Sequence, residues 1–169
     1  MKKLILASTI AMTMVAGSAT ASQGDVKFFG SVTEVTCDVT PEVGGNVSNL
    51  IQLGSVEKGQ LGKEVGLVFK ATSNTGGCAQ LAGKTASIAW SGNLTADGIG
   101  NHGGAAQGAY VILKPANGKN DTAISSANNV SEFEAEKAGT DGFKYTAQLK
   151  ADNTPGDFQS AAAYAVTYQ

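Results

Sequence analysis

His102 is the only histidine of the chain. It sits in Gly98-Ile99-Gly100-Asn101-His102-Gly103, a run with the G-x-G-x-x-G spacing of dinucleotide sites, and Asp121 follows where a ribose-binding acid would be sought. Such a motif works by setting pyrophosphate against a helix N-terminus inside a strand–helix–strand unit. No amphipathic helical pattern follows Gly103, so the sequence predicts a glycine-bearing loop and no nucleotide site. As a general base, His102 would need a nucleophile and an orienting partner held close by, and a glycine-rich loop holds side chains poorly. Glu132, Glu134 and Glu136 alternate, which on a strand places them on one face. With no partner for acid–base work they read as a solvated face or as protection of a sheet edge. Two cysteines and one histidine are too few for a metal centre. The expectation is a protein that is not an enzyme, with no catalytic residue, no metal and no cofactor.

The cysteines point to a different chemistry. Met1-Lys2-Lys3 is a positive start, Leu4 to Val15 is an apolar run too short to span a bilayer, and Ala19-Thr20-Ala21 has the small residues of a cleavage site. Residues 1–21 therefore read as an export signal. An even cysteine pair in an exported chain predicts one disulfide, Cys37–Cys78. Cleavage after Ala21 leaves 148 residues, the size of one domain, and removal of Lys2 and Lys3 takes the net charge from −2 to −4. There is no arginine. A chain without a basic field or guanidinium forks is not expected to hold nucleic acid.

The elements that must position these residues are strands. Apolar residues alternate instead of recurring every three or four places. Val65, Leu67 and Phe69 share one face of a run, as do Ala86, Ile88 and Trp90; Val111 and Leu113 oppose Tyr110, Ile112 and Lys114. Phe143, Tyr145, Ala147 and Leu149 line one side of a longer run, and Tyr164, Val166 and Tyr168 alternate at the end. Clusters such as Pro41–Asn46 and Pro115–Asp121 read as turns, with Asn117-Gly118 as a tight turn, and Thr95–Gly108 reads as a long loop. Short strands with this punctuation predict an all-β, antiparallel sandwich of immunoglobulin-like size. Val26, Phe28, Gly30 and Val32 alternate too, ahead of Cys37 and near the start of the mature chain.

The C-terminal end carries a resemblance. Gly156 is the fourteenth residue from the end, Tyr168 is penultimate, and Tyr164, Val166 and Tyr168 alternate between them. With the export signal and the cysteine pair, this resembles the fimbrial subunits of the chaperone-usher pathway. The stretches TCDVTPEVGGN, IQLG, IAWSG, YTAQLK and VTYQ look like the major subunits of enterotoxigenic fimbriae that bind sialylated glycolipids.

The resemblance implies an incomplete immunoglobulin-like sandwich completed by donor-strand complementation. Residues 22–31 would be the donor extension, carrying Val26, Phe28 and Gly30 with Val32 following, and 32–169 the pilin domain. Gly156, Tyr164, Val166 and Tyr168 would belong to the C-terminal groove strand that a chaperone grasps. The implied partners are a periplasmic chaperone, an outer-membrane usher, neighbouring subunits in a linear polymer, and a host glycolipid or other glycan. The implied place is the cell surface, in the fimbrium, reached through the periplasm.

Lys150 matches the start of a basic run in the glycolipid-binding relatives and is the candidate receptor contact, although Thr154 stands at the next basic place. The expected function is a structural subunit of an adhesive fimbria, of the major type. The alternative is a self-contained secreted carbohydrate-binding β-sandwich; the two differ in whether the isolated domain is complete. A secreted hydrolase lacks a nucleophile, base and orienter set.

Overall fold

The computed structural model of the protein describes residues 36–73 and 76–169. The leader (1–21), the extension (22–31) and its residues Val26, Phe28 and Gly30, together with Val32, lie outside the described residues. Among the described residues, nine strands form two sheets: β1 (Val39–Val43), β2 (Asn46–Val47), β3 (Val65–Ala71), β4 (Thr85–Gly92), β5 (Ile99–Gly100), β6 (Tyr110–Pro115), β7 (Val130–Glu134), β8 (Phe143–Lys150) and β9 (Ala162–Tyr168). The larger sheet has the order β2-β1-β3-β8-β6-β5 and the smaller β7-β4-β9, with every pairing antiparallel. Two short 3-10 turns, Gly76–Gln80 and Ala135–Gly139, are the only helical elements among the described residues. The fold is all-β with two sheets, and Cys37 is bonded to Cys78, as the sequence predicts.

Period-two alternation decides which side chains enter the core. In β8, Phe143, Tyr145, Ala147 and Leu149 are buried and the residues between them are not. Ala86, Ile88 and Trp90 do the same in β4, and Leu67 and Phe69 in β3. Phe69, Trp90 and Tyr145 meet edge-on, with centroids 5.5 to 5.9 Å apart. Such contacts are worth about 0.5–1.5 kcal/mol each beyond burial.

Ser131 is the one buried polar residue among the described core residues. Its hydroxyl bonds to that of Tyr145, which also accepts from Trp90 Nε1 at 3.3 Å. A polar residue at an inward strand position is tolerated because its hydrogen bond is made inside.

Three local expectations differ from the structure. Residues Pro41–Asn46 are not all turn: β1 runs through Pro41, and the reversal is confined to Gly44 and Gly45, whose φ values of 60° and 81° suit a tight hairpin turn. The Thr95–Gly108 stretch is not all loop, because Ile99 and Gly100 pair with Val111 and Tyr110 and Ile99 is buried. Asn117-Gly118 is no hairpin turn. The Asn117 side chain instead receives the Lys144 N–H at 2.8 Å and donates to the Gly142 carbonyl at 2.9 Å, bracing the start of β8.

Candidate functional site: an open groove between the sheets

The two ends of the sandwich differ. At one end Leu81, Ile88, Ile124, Phe133 and Phe143 are each at most 1% exposed, and the disulfide lies against the same core. At the other end the sheets touch through Phe69 against Trp90 and Tyr164 but leave space beside these contacts. A groove of about 1550 Å³ opens there, its floor formed by Leu67 and Phe69 of β3, Val111 of β6, Leu149 of β8 and Trp90 of β4.

One wall is β9, the last strand of its sheet among the described residues. Thr85 and Gln169 exchange both backbone hydrogen bonds, at 2.8 and 2.9 Å. Antiparallel pairs alternate between bonded and non-bonded, so the next bonded pairs are Ser87 with Thr167, Ala89 with Ala165 and Ser91 with Ala163. The N–H and C=O groups of Ala162, Tyr164, Val166 and Tyr168 therefore turn away from β4, toward the outer side of the strand. Their side chains face the core, and the Tyr164 ring meets Phe69 with centroids 4.5 Å apart. Burial raises the Tyr164 pKa above its ordinary value.

The opposite wall is the chain from Ile51 to Val56, which runs without regular structure along the groove. Ile51 and Leu53 pack on the core while Gln52 and Gly54 are exposed. Among the described residues, no backbone hydrogen bond joins Ile51–Val56 to another segment. The groove thus lies between two extended backbones, one of them the outermost strand of its sheet among the described residues.

The end of the groove is set by two loops zipped together. The N–H groups of His102 and Gly103 donate to the Gln159 carbonyl, and Ala106 N–H to the Asp157 carbonyl, at 2.8 to 3.1 Å. Asn101 Oδ1 accepts from Gln159 N–H at 3.0 Å, and Ser160 Oγ donates to the Gly100 carbonyl at 2.6 Å. Phe158, held by this zip, packs on Ala106, Ala109 and Leu149.

Gly156 lies in the second of these loops, ahead of β9 and not in it, and lines the groove. Its φ is +154°, and a Cβ there would stand 2.6 to 2.7 Å from Ala105 and Ala106 atoms. Of the four C-terminal positions singled out in sequence, Gly156 and Tyr164 line the groove; Val166 and Tyr168 continue β9 toward the closed end. Tyr168 is 3% exposed and donates its hydroxyl to the Cys37 carbonyl at 2.8 Å. Burial, with the Asp38 carboxylate adding to it, pushes its pKa up to about 12.

The other candidates lie apart from the groove. His102 is exposed, and its Gly98–Gly103 run enters β5 with no helix after it. Asp121 pairs with Lys114 at 3.1 Å. Glu132 and Glu134 share the outer face of β7, Glu134 lying 3.6 Å from Lys119, while Glu136 falls in the 3-10 turn. Lys150 ends β8 on the face away from the groove and donates to the Gly59 carbonyl at 2.6 Å. Ile51–Gly54 entered the sequence reading only as the IQLG stretch of the resemblance and not as a wall of a site, and Ser55, Val56 and the end residue Phe158 were not singled out. The Ile51/Leu53 alternation was the available signal, but it is too short to tell a strand from a loop.

No protein-family profile matches the chain. It is 54% identical to the F107 fimbrial protein of Escherichia coli, over the whole of both chains. It is 31% identical to the K99 fimbrial protein of Escherichia coli, over 99% of each. Among solved structures, it shares the fold of the P pilus rod subunit PapA, with a TM-score of 0.51 at 20% identity over 87% of this chain and 100% of that one. With relatives this similar along its full length, and with this fold, the chain belongs to the fimbrial subunits of the chaperone-usher pathway and is a structural protein of a surface fimbria.

Proposed function

We propose that the groove is the polymerisation site and that its occupant is an added β-strand. The observation that carries this reading is an apolar trough of about 1550 Å³ flanked by β9, the last strand of its sheet among the described residues, and by the Ile51–Val56 backbone, which no backbone hydrogen bond joins to another described segment. Strand addition uses main-chain hydrogen bonds for affinity and alternate side chains in pockets for specificity. In the fibre the strand comes from residues 22–31 of the neighbouring subunit, with Val26 and Phe28 in the groove, Gly30 where the backbones approach closely, and Val32 at the border of the pilin domain, 32–169. Before assembly a periplasmic chaperone fills the same groove and grasps β9, and an outer-membrane usher receives the subunit. Residues 1–21 direct the export. Because the donor of one copy enters the groove of the next, the contact is heterologous and does not close, which generates a filament.

On this reading the fibre is adhesive and this is its major subunit, as the resemblance of TCDVTPEVGGN, IQLG, IAWSG, YTAQLK and VTYQ to enterotoxigenic major subunits implies. Lys150 is the candidate contact for an acidic glycan, as a point charge beside Gly59. Such a role predicts that Lys150→Ala lowers fibre binding to glycolipid surfaces, and unchanged binding removes Lys150 from the site. The chain is not an enzyme on this reading.

The test is thermal unfolding of the mature chain lacking Ser22–Ser31, kept soluble by a chaperone where needed, with and without a peptide of those residues. A ligand that binds only the folded state at a hundred times its Kd stabilises by about 2.7 kcal/mol. The expected result is a rise in Tm that a Phe28→Asp peptide fails to give. A domain stable alone and indifferent to the peptide refutes the reading in favour of a self-contained carbohydrate-binding sandwich.

A further inference from the structure

We propose that Asn101 is the positioning residue of the groove's loop end, fixing an apolar pocket that receives one terminal side chain of the added strand. This rests on the donor-strand reading and deepens it, from where the strand binds to what sets its choice of side chain at one end. The pocket is the part of the groove beside Ala106, Ala109 and Leu149, bordered by Leu53, Val56 and Phe158. Two alanines in its lining leave room for a side chain from outside.

The pocket's shape depends on two loops that belong to no common strand. Ala106 lies between β5 and β6, and Phe158 lies ahead of β9. One side chain ties both. Asn101 Nδ2 donates to the Gly104 carbonyl at 2.7 Å and to the Ala106 carbonyl at 2.9 Å, while Oδ1 accepts from Gly104 N–H at 3.2 Å and from Gln159 N–H at 3.0 Å. Ala106 is a lining residue and Gln159 follows Phe158, so these bonds bracket the pocket. Asn101 is itself held: its N–H donates to the Ala109 carbonyl at 3.2 Å, and its carbonyl accepts from Asn93 Nδ2 at 2.9 Å. Only a side-chain amide carries both the NH2 donor and the carbonyl acceptor that this bracket uses at so short a reach. The backbone bonds from Gly103 and Ala106 to Gln159 and Asp157 do not involve the side chain, so its removal loosens the pocket and leaves the loops in contact. β9 has seven residues, and Val26–Val32 is a run of the same length, so Val26 and Val32 fall at opposite ends of a strand laid along it. One of the two meets the pocket.

The experiment uses the full mature subunit in its chaperone complex, mixed with equal amounts of the peptide of residues 22–32 and of a variant carrying Val26→Ala, Phe28→Ala or Val32→Ala. Native mass spectrometry reads the ratio of the two peptides taken up. On the wild type, truncating a valine in a filled pocket costs about tenfold, and in Asn101→Ala the cost at one of Val26 and Val32 falls to about threefold or less while the other positions keep theirs. Asn117→Ala is the comparison. It removes side-chain bonds to Lys144 N–H and the Gly142 carbonyl at the closed end, and it lowers Tm without moving any of the three ratios. If Asn101→Ala gives no folded complex, Asn101→Asp keeps the accepting Oδ1 and loses the two donated bonds, and the same shift is expected. Ratios that stay unchanged in the Asn101 variants, or that fall at Phe28 or at both valines, overturn the positioning role. A wild-type subunit that takes up no peptide instead overturns the donor-strand reading, and the positioning role with it.

Discussion

Replacing Gly156 by alanine asks why a glycine stands fourteen residues from the end. The φ of +154° is one that L side chains rarely adopt, and the new Cβ would lie 2.6 Å from the Ala105 carbonyl carbon and 2.7 Å from Ala106 N. Both neighbours are backbone, so no side-chain rotation relieves the clash. Strained φ costs about 1–3 kcal/mol and overpacking a further ~1–3 kcal/mol, together about 2–6 kcal/mol. For a domain of this size each kcal/mol moves Tm by roughly 2–4 °C, so Gly156→Ala lowers Tm by about 4–24 °C by scanning calorimetry of the peptide-complemented subunit. Gly66→Ala is the comparison: nothing lies within 4 Å of a Cβ there, and its φ is not in the left-handed region. That substitution should be neutral or stabilising by up to about 1 kcal/mol, because alanine costs the strand less chain entropy than glycine. A Gly156→Ala melting point within about 2 °C of wild type, less than one kcal/mol on this scale, refutes the close-packing argument.

Three further outcomes follow from the core. Ser131→Ala removes one of the two partners of the Tyr145 hydroxyl and costs about 1–3 kcal/mol in urea unfolding, whereas a change below the error of the fit would show the pair to be replaceable. Reducing Cys37–Cys78, which spans 41 residues, costs about 4 kcal/mol on the chain-entropy model, read as a fall in Tm on adding dithiothreitol. Alkali destabilises the fold through Tyr145 and Tyr168, whose pKa values rise from 10.0 to about 12 on burial. Between those values the unfolded chain has lost protons that the folded chain keeps, so stability is intact below pH 10 and falls as the pH climbs from 10 to 12. For Tyr145 the full effect is about 3 kcal/mol. A urea midpoint that does not move between pH 9 and 11.5, about the range in which the unfolded phenols ionise, contradicts it.

How much was legible in the sequence depended on strand length and on where the alternation was broken. β3, β4, β6, β8 and β9 each carry at least two inward apolar residues in strict alternation, and their faces are as the pattern predicts. β7 was hidden because its inward places hold Ser131 as well as Phe133, and a serine reads as outward until its hydrogen bond to Tyr145 is seen. β1 contains Pro41, which a strand accepts where no ladder N–H is needed, and β2 and β5 have two residues each, too few for any period. Gly156 was visible as a position, but its cause was not. The backbone it touches, at Ala105 and Ala106, is distant in sequence and is brought there by the loop zip. The groove is a volume that no residue names; it follows only from the relative placement of two sheets.

The side chains around that volume explain why the domain does not close over it. The closed end of the sandwich is filled by Phe133, Phe143, Leu81 and Ile88, while the open end presents Ala106, Ala109, Ala147 and Ala162. Alanines at the open end leave the space that large residues would fill. A chain with leucine or phenylalanine at those positions could complete its own core, because burying each such side chain is worth about 1.5–3 kcal/mol. That stabilisation would then be available without a second copy. On the donor-strand reading, small residues at the mouth move the same free energy from folding to assembly, so a subunit is fully stable only when a neighbour's Val26 and Phe28 occupy the groove. The closed end, with its disulfide and its buried Phe133 and Phe143, then has a separate task. It must hold the two sheets together while the other end is empty, and the Phe133 ring does so by packing against Phe143 and Tyr145 of the facing sheet. On that reading, the division of the core into a filled half and an unfilled half is the structural counterpart of a protein finished by its neighbour.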